Sequence, residues 1–128
     1  MSTLKIKTLL QELTGINFYI NSFSPNEGLE AKFSIVDSET EAGGLTTYYV
    51  RVLAKGSHPA DVETLLTGAI ATLNNKNDHI YNGGKDQLVY ISCNPATPFY
   101  EGTAPNGEYL FSLEFSLISL ELGGLENE

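Results

Sequence analysis

The sequence predicts an α+β domain: a mostly antiparallel sheet of about five strands with two helices packed on one face, in the order α-β-β-β-α-β-β. Two observations carry this. Apolar residues recur at helical spacing in one segment at the start and one in the middle, and alternate at strand spacing in several others. Consecutive strand-like runs joined by short links favour antiparallel pairing.

The first helix rests on Ile6, Leu9, Leu10 and Leu13, whose i, i+3, i+4, i+7 spacing lines one face. Ser2 or Thr3 can cap its start, and Gly15 stands where a left-handed residue ends a helix. Residues 18–23, FYINSF, read as a short strand stopped by Ser24-Pro25-Asn26. In residues 31–36 Phe33 and Ile35 alternate with Lys32 and Ser34. An acidic loop, 37–44, closes on Gly43-Gly44. A longer strand follows over 45–54, with Tyr48, Val50, Val52 and Ala54 on one face and Thr47, Tyr49, Arg51 and Leu53 on the other. The two strands and their loop form an expected antiparallel hairpin.

The second helix is expected over 58–74, with its stripe at Val62, Leu65, Leu66, Ala69, Ile70 and Leu73. Ser57 is the expected N-cap, Pro59 suits the first turn, Asp61 and Glu63 suit the dipole, and Asn74-Asn75 ends the helix. Residues 75–86 read as a polar loop, 88–93 (LVYISC) as a strand halted by Asn94-Pro95, and 94–107 as a loop rich in turn formers. The last strand alternates Tyr109, Phe111, Leu113, Phe115 and Leu117 with Leu110, Ser112, Glu114 and Ser116, and a bulge is expected near Leu117-Ile118. Residues 1–122 are expected to form one domain, and 123–128, opening on Gly123-Gly124, a flexible acidic tail.

Composition narrows the function. Seven Lys and Arg against 16 Asp and Glu give a net charge of −9 over 128 residues. General binding to nucleic-acid backbones needs clustered cations instead. The charge is uneven: Asp86, Glu101, Glu108, Glu114, Glu121, Glu126 and Glu128 follow the last basic residue, Lys85. That third is either a solvated surface, or a repulsive wall or a patch for a basic partner. A single cysteine, Cys93, excludes an internal disulfide and multi-cysteine zinc sites. No stretch approaches the ~20 apolar residues of a membrane span, and the segment MSTLKIKTLLQEL is too short and polar for a signal peptide. The expected setting is the cytosol, or a larger assembly built there, with no membrane partner.

The residues offer little chemistry. His58 and His79 stand at a helix start and in a polar loop, without an evident orienting partner. Cys93 lies in an apolar run, where a small buried hydrophobe is expected. Asn75, Asn77 and Asp78 ahead of Gly83-Gly84 lack the ligand ladder of a calcium loop. No Gly-rich phosphate loop links a strand to a helix. No metal, cofactor or catalytic residue is therefore expected. Glu39 and Glu41 share a loop without an apolar neighbourhood. Glu114 sits mid-strand opposite the apolar face. If a neighbour covers it, it needs a cation such as Arg51. Phe99, Tyr100 and Tyr109 lie among prolines and glycines, as a covered core edge or as anchors for a partner.

Two blocks carry a resemblance. Residues 50–74, VRVLAKGSHPADVETLLTGAIATLN, run from a strand through a basic turn into a helix ending in Leu-Asn. Residues 91–118, ISCNPATPFYEGTAPNGEYLFSLEFSLI, run from a strand through a proline-containing loop and a Gly-Glu-Tyr lead-in to a long terminal strand. Together, in the order of their elements over 1–122, they resemble the tail terminator or minor capsid proteins of siphophages, also found in prophages and phage-tail-like bacteriocins. The long acidic 37–44 loop departs from that pattern.

The resemblance implies a non-enzymatic structural protein of the virion tail or neck, assembled in the host bacterial cytoplasm. It implies a ring, usually of six subunits, that stops tail-tube polymerisation and joins tail to head. Its partners would be its own copies, the tube protein and a head-side connector or stopper. DNA would pass through the lumen without specific binding, repelled by a negative inner surface. The candidate assembly residues are Glu39, Glu41, Gly43, Gly44, Arg51, Phe99, Tyr100, Glu101 and Glu114. The residues by themselves leave two other readings open: a monomeric module that binds a ligand or peptide at a strand edge, and a small enzyme using carboxylates such as Glu114.

Overall fold

Alternation of side chains along the longer central strands decides the architecture, because these offer an apolar row and two helices supply the cover for it. The computed structural model describes residues 1–82, 85–93 and 96–121, and the side chains of all of these except 78–82, 85–87 and 121. The expected Gly83-Gly84 turn, the Asn94-Pro95 stop, the 123–128 tail and the His79 side chain lie outside the described residues.

Helix α1 (Thr3–Thr14) starts at Ser2, whose hydroxyl accepts the Lys5 N–H at 3.2 Å. It ends on Gly15 at φ 74°, whose N–H donates to the Gln11 carbonyl at 2.8 Å. Strand β1 (Phe18–Ile20) is shorter than the 18–23 expected, since Asn21 turns the chain at φ 65°. It pairs in parallel with β2 (Glu30–Thr40), Phe18 opposite Ala31. The expectation of short-linked antiparallel neighbours is corrected here: residues 21–29 carry the chain back before β2 begins, so both strands run the same way.

Strand β3 (Leu45–Gly56) pairs antiparallel with β2, as expected. The acidic loop shrinks, however, because Asp37 to Thr40 pair with Tyr49 to Thr46. Only 41–44 turn, with Gly43 and Gly44 at φ 90° and 86°. A hairpin arm standing in water needs no apolar row, so its strand carried no alternation to read. A bulge between Ile35 and Asp37 leaves Val36 61% exposed.

Helix α2 (Pro59–Leu73) buries Val62, Leu66, Ala69, Ile70 and Leu73. Its N-cap is His58, not Ser57, and caps only through its backbone carbonyl, which accepts from Asp61 and Val62. At its far end Asn74 donates its N–H to Ile70 and accepts the Cys93 N–H on its side chain at 3.0 Å, which ties the helix to the sheet.

Four strands follow rather than two. The 75–86 loop instead holds β4 (Lys76–Asn82) and the start of β5 (Lys85–Cys93), paired antiparallel from Lys76 opposite Ile91 to Asn82 opposite Lys85, and the 94–107 loop contains β6 (Phe99–Thr103). β7 (Tyr109–Glu121) lies at the centre, with β3 along one edge and β6 and then β5 along the other. The sheet order is β1-β2-β3-β7-β5-β4 with β6 beside β7. The bulge expected at Leu117-Ile118 is absent. β7 stays in register with β3 from Tyr109 to Leu120, and buried Ser119 continues the row of Phe111, Leu113, Phe115 and Leu117. Ile118 and Leu120 are apolar residues on the opposite face, which is why the pattern suggested a switch.

Register places Phe18, Ala31, Ala54 and Phe111 in one row across the sheet, with Phe33, Val52 and Leu113 in the next. Both rows are buried with Ile6, Leu9 and Leu10 of α1 and the α2 stripe in a single core. The helices thus occupy one face, as expected, and the other is left to solvent or to a partner.

Candidate interaction surface

Strands alternate, so a sheet with helices on one side displays every second residue on the other. The central part of that open face comes from β3, β6 and β7. Arg51 and Glu114 are opposite one another in register. The guanidinium turns instead to Glu101 on β6, 3.4 Å away, and the Ser112 hydroxyl donates to the same carboxylate at 2.7 Å. Glu114 is exposed and makes no ion pair among the described residues. The Arg51–Glu101 pair is half in water, where such pairs contribute about 0–1 kcal/mol. It can therefore rearrange at little cost when something docks.

Around these charges stand exposed apolar groups. Phe99 is 63% exposed and Tyr49 is 37% exposed. Two shallow depressions of about 230 and 240 Å³ meet at Glu114, one against Val36 and Tyr49, the other against Thr97 and Phe99. Both fall short of the roughly 300–1,000 Å³ of ordinary ligand pockets. A third, about 350 Å³, lies between Gly15, Tyr19, Leu29 and Leu65. Its acid, Glu30, already accepts from the Ser24 N–H and hydroxyl.

Of the nine candidate residues, the fold brings together Arg51, Phe99, Glu101 and Glu114. Tyr100 points to the other side of its strand, where its ring packs on Phe111 at 5.3 Å between centroids. Glu39, Glu41, Gly43 and Gly44 sit at the exposed end of the β2–β3 hairpin. From Arg51 to Thr46 is five residues, about 17 Å at ~3.4 Å per residue, so the turn with Glu41, Gly43 and Gly44 is a separate region, while Glu39, opposite Thr47, still lies on the open face. Sequence reasoning missed Val36 and Asp37, which the bulge and the hidden strand put on the open face. It named Tyr49 among the residues opposite the core but drew nothing from its exposure.

A second polar cluster was not foreseen. Lys55 Nζ donates to Glu108 at 3.0 Å and to the Asn26 and Gly28 carbonyls at 2.8 and 3.3 Å. Glu108 also accepts from the Asn106 amide and the Gly28 N–H. The Lys55 ammonium first, then Asn106 and Gly28, hold the Glu108 carboxyl below the usual carboxylate range. Every polar atom here has a partner, so the cluster fastens the 21–29 loop across the end of the sheet and leaves no group free to react. Cys93 is buried, and burial pushes its thiol up to about 11, so it is protonated and unreactive at neutral pH. Among the described residues, no three His, Cys, Asp or Glu side chains converge on a metal position. Among them, too, no helix is long and apolar enough to cross a membrane.

Compared with known proteins, the sequence matches no protein-family model and no curated protein.

Proposed function

We propose that this chain is a structural subunit that forms a ring at the head-proximal end of a phage tail tube, ends tube polymerisation and joins tail to head. The reading rests on the resemblance in residues 50–74 and 91–118. One observation carries it further: a sheet with its helices on one side, and on the other exposed Val36, Tyr49 and Phe99 gathered around Glu114, which makes no ion pair among the described residues. Apolar and aromatic groups in that setting mark a surface used for association. The partners are further copies, the tube protein and a head-side connector. DNA passes through a lumen whose acidic groups repel it.

A second reading has its own observation. Beyond Phe33 the outer edge of β2 has no paired strand among the described residues, since β1 reaches only Ala31 to Phe33. A peptide could add there as a further strand. The acids Asp37 and Glu39 on that edge weigh against it, because edge charges discourage strand addition.

The test is light scattering at two concentrations, then negative-stain imaging of the chain mixed with tube protein from the same genome. Rings, or tubes capped at one end and of arrested length, are expected. A protein that stays monomeric and leaves tube growth unchanged would overturn the ring and favour the peptide-binding module.

A further inference from the structure

Two patches of like charge stand on opposite sides of the described molecule. Asp37, Glu39 and Glu114 lie on the open side of the sheet, as their register partners Tyr49, Thr47 and Arg51 show, and none makes an ion pair among the described residues. The cations on that side are already engaged. Lys32 lies over the Phe23 ring at 4.8 Å, Arg51 pairs with Glu101, and Lys55 pairs with Glu108.

On the opposite side, the first two turns of α1 carry Lys5 and Lys7, which make no ion pair among the described residues. Beside them are the N-terminal ammonium, bonded to the Tyr48 hydroxyl at 2.6 Å, and Leu4, 66% exposed. The N-terminal half of α1 is therefore a basic patch with an exposed leucine, on a side that carries the exposed acids Glu12, Asp61 and Glu63 further along its helices, while the unpaired described charges of the open face are acidic and stand beside exposed Val36 and Tyr49.

From this complementarity we infer that the open sheet face of one copy receives the N-terminal half of α1 from a second copy, in a head-to-tail contact. The inference rests on the ring reading above and names its contact. A two-fold contact of sheet face on sheet face would set Asp37, Glu39 and Glu114 against the same acids, in a chain that already carries −9. Stacking helix side on sheet side instead sets Lys5 and Lys7 against those acids and Leu4 against Val36 and Tyr49. Such a pair keeps a free sheet face at one end and a free α1 at the other, so copies add in one direction and close into a ring when the rotation allows.

The experiment is charge exchange in the full chain, read by sedimentation velocity at low and high salt. K5E/K7E and D37K/E39K should each weaken self-association by at least about tenfold, since like charges then face each other. A one-to-one mixture of the two variants should restore it, and so should all four changes in one chain. Circular dichroism with unchanged melting checks that each variant folds. If both variants associate like the wild type, or if the mixture restores nothing, the contact is overturned. If they associate normally but no longer cap tubes, these faces serve the tube protein and the contact is equally overturned, while the ring stands. A wild type that remains monomeric at its highest soluble concentration overturns the contact. The ring reading falls with it only if tube growth is also unaffected.

Discussion

Lys55 and Glu108 are the two charged side chains that the described fold buries, and they show what a single residue can decide. A buried charge is tolerated when it is paired and its remaining hydrogen-bonding capacity is filled, which the Asn26 and Gly28 carbonyls and the Asn106 amide accomplish. Because the folded-state pKa of Glu108 is depressed, its stabilising contribution is fully present above the ordinary value of about 4.3 and is lost as pH falls through the folded value. Glu108→Gln should therefore lower the urea midpoint at pH 7 and flatten the acid limb of the stability curve. Urea titrations between pH 3 and 7 check this. An acid limb identical to wild type would show that the pair does not hold the 21–29 loop. None of this was legible in sequence, where Lys55 and Glu108 are 53 residues apart.

At the scale of elements, α2 and β3 meet at Gly56. A Cβ there would lie 2.9 Å from Val62 Cγ2 and 3.2 Å from Leu29 Cδ1. Val62 is fully buried, β-branched and stiff, so it cannot swing away. Gly56→Ala should cost about 1–3 kcal/mol, as overpacking of a tight core does, measured by urea denaturation. A neutral result would mean that the helix rides looser on the sheet than its buried stripe requires. The helices, β2, β3, β5 and β7 were legible because each carries an apolar row at its own period. β4 and β6 were not. KNDHIYN is a polar edge strand, and FYEGT is short, largely exposed and bulged after Tyr100. An edge strand satisfies its backbone through its neighbour and owes little to an apolar pattern.

For the molecule as a whole, a one-sided sheet means that exposed aromatic residues can be removed without touching the core. Phe99→Ser should leave monomer stability within about 0.5 kcal/mol, as surface substitutions do, while weakening assembly or tube capping. Thermal melting and negative-stain imaging together check it. A large loss of stability would place Phe99 in the fold, and normal assembly would place it outside the contact. Four of the nine candidate residues came together because Arg51 and Glu114 face away from readable apolar rows. Tyr100 went elsewhere because it and Phe99 are neighbours on a strand and must face opposite ways.

The sequence by itself determined the class of fold, both helices, the apolar rows of the central strands and the acidic character of the surface. Each of these is a local matter of periodicity, capping or composition. Only the tertiary structure decided that β1 runs parallel to β2, that β6 joins β5 along one edge of β7, that Arg51 turns to Glu101 rather than Glu114, and that Lys55 finds Glu108. Those outcomes depend on which distant segments become neighbours. Pairing across a sheet is settled by the fit of whole faces, and no short stretch of sequence contains that fit.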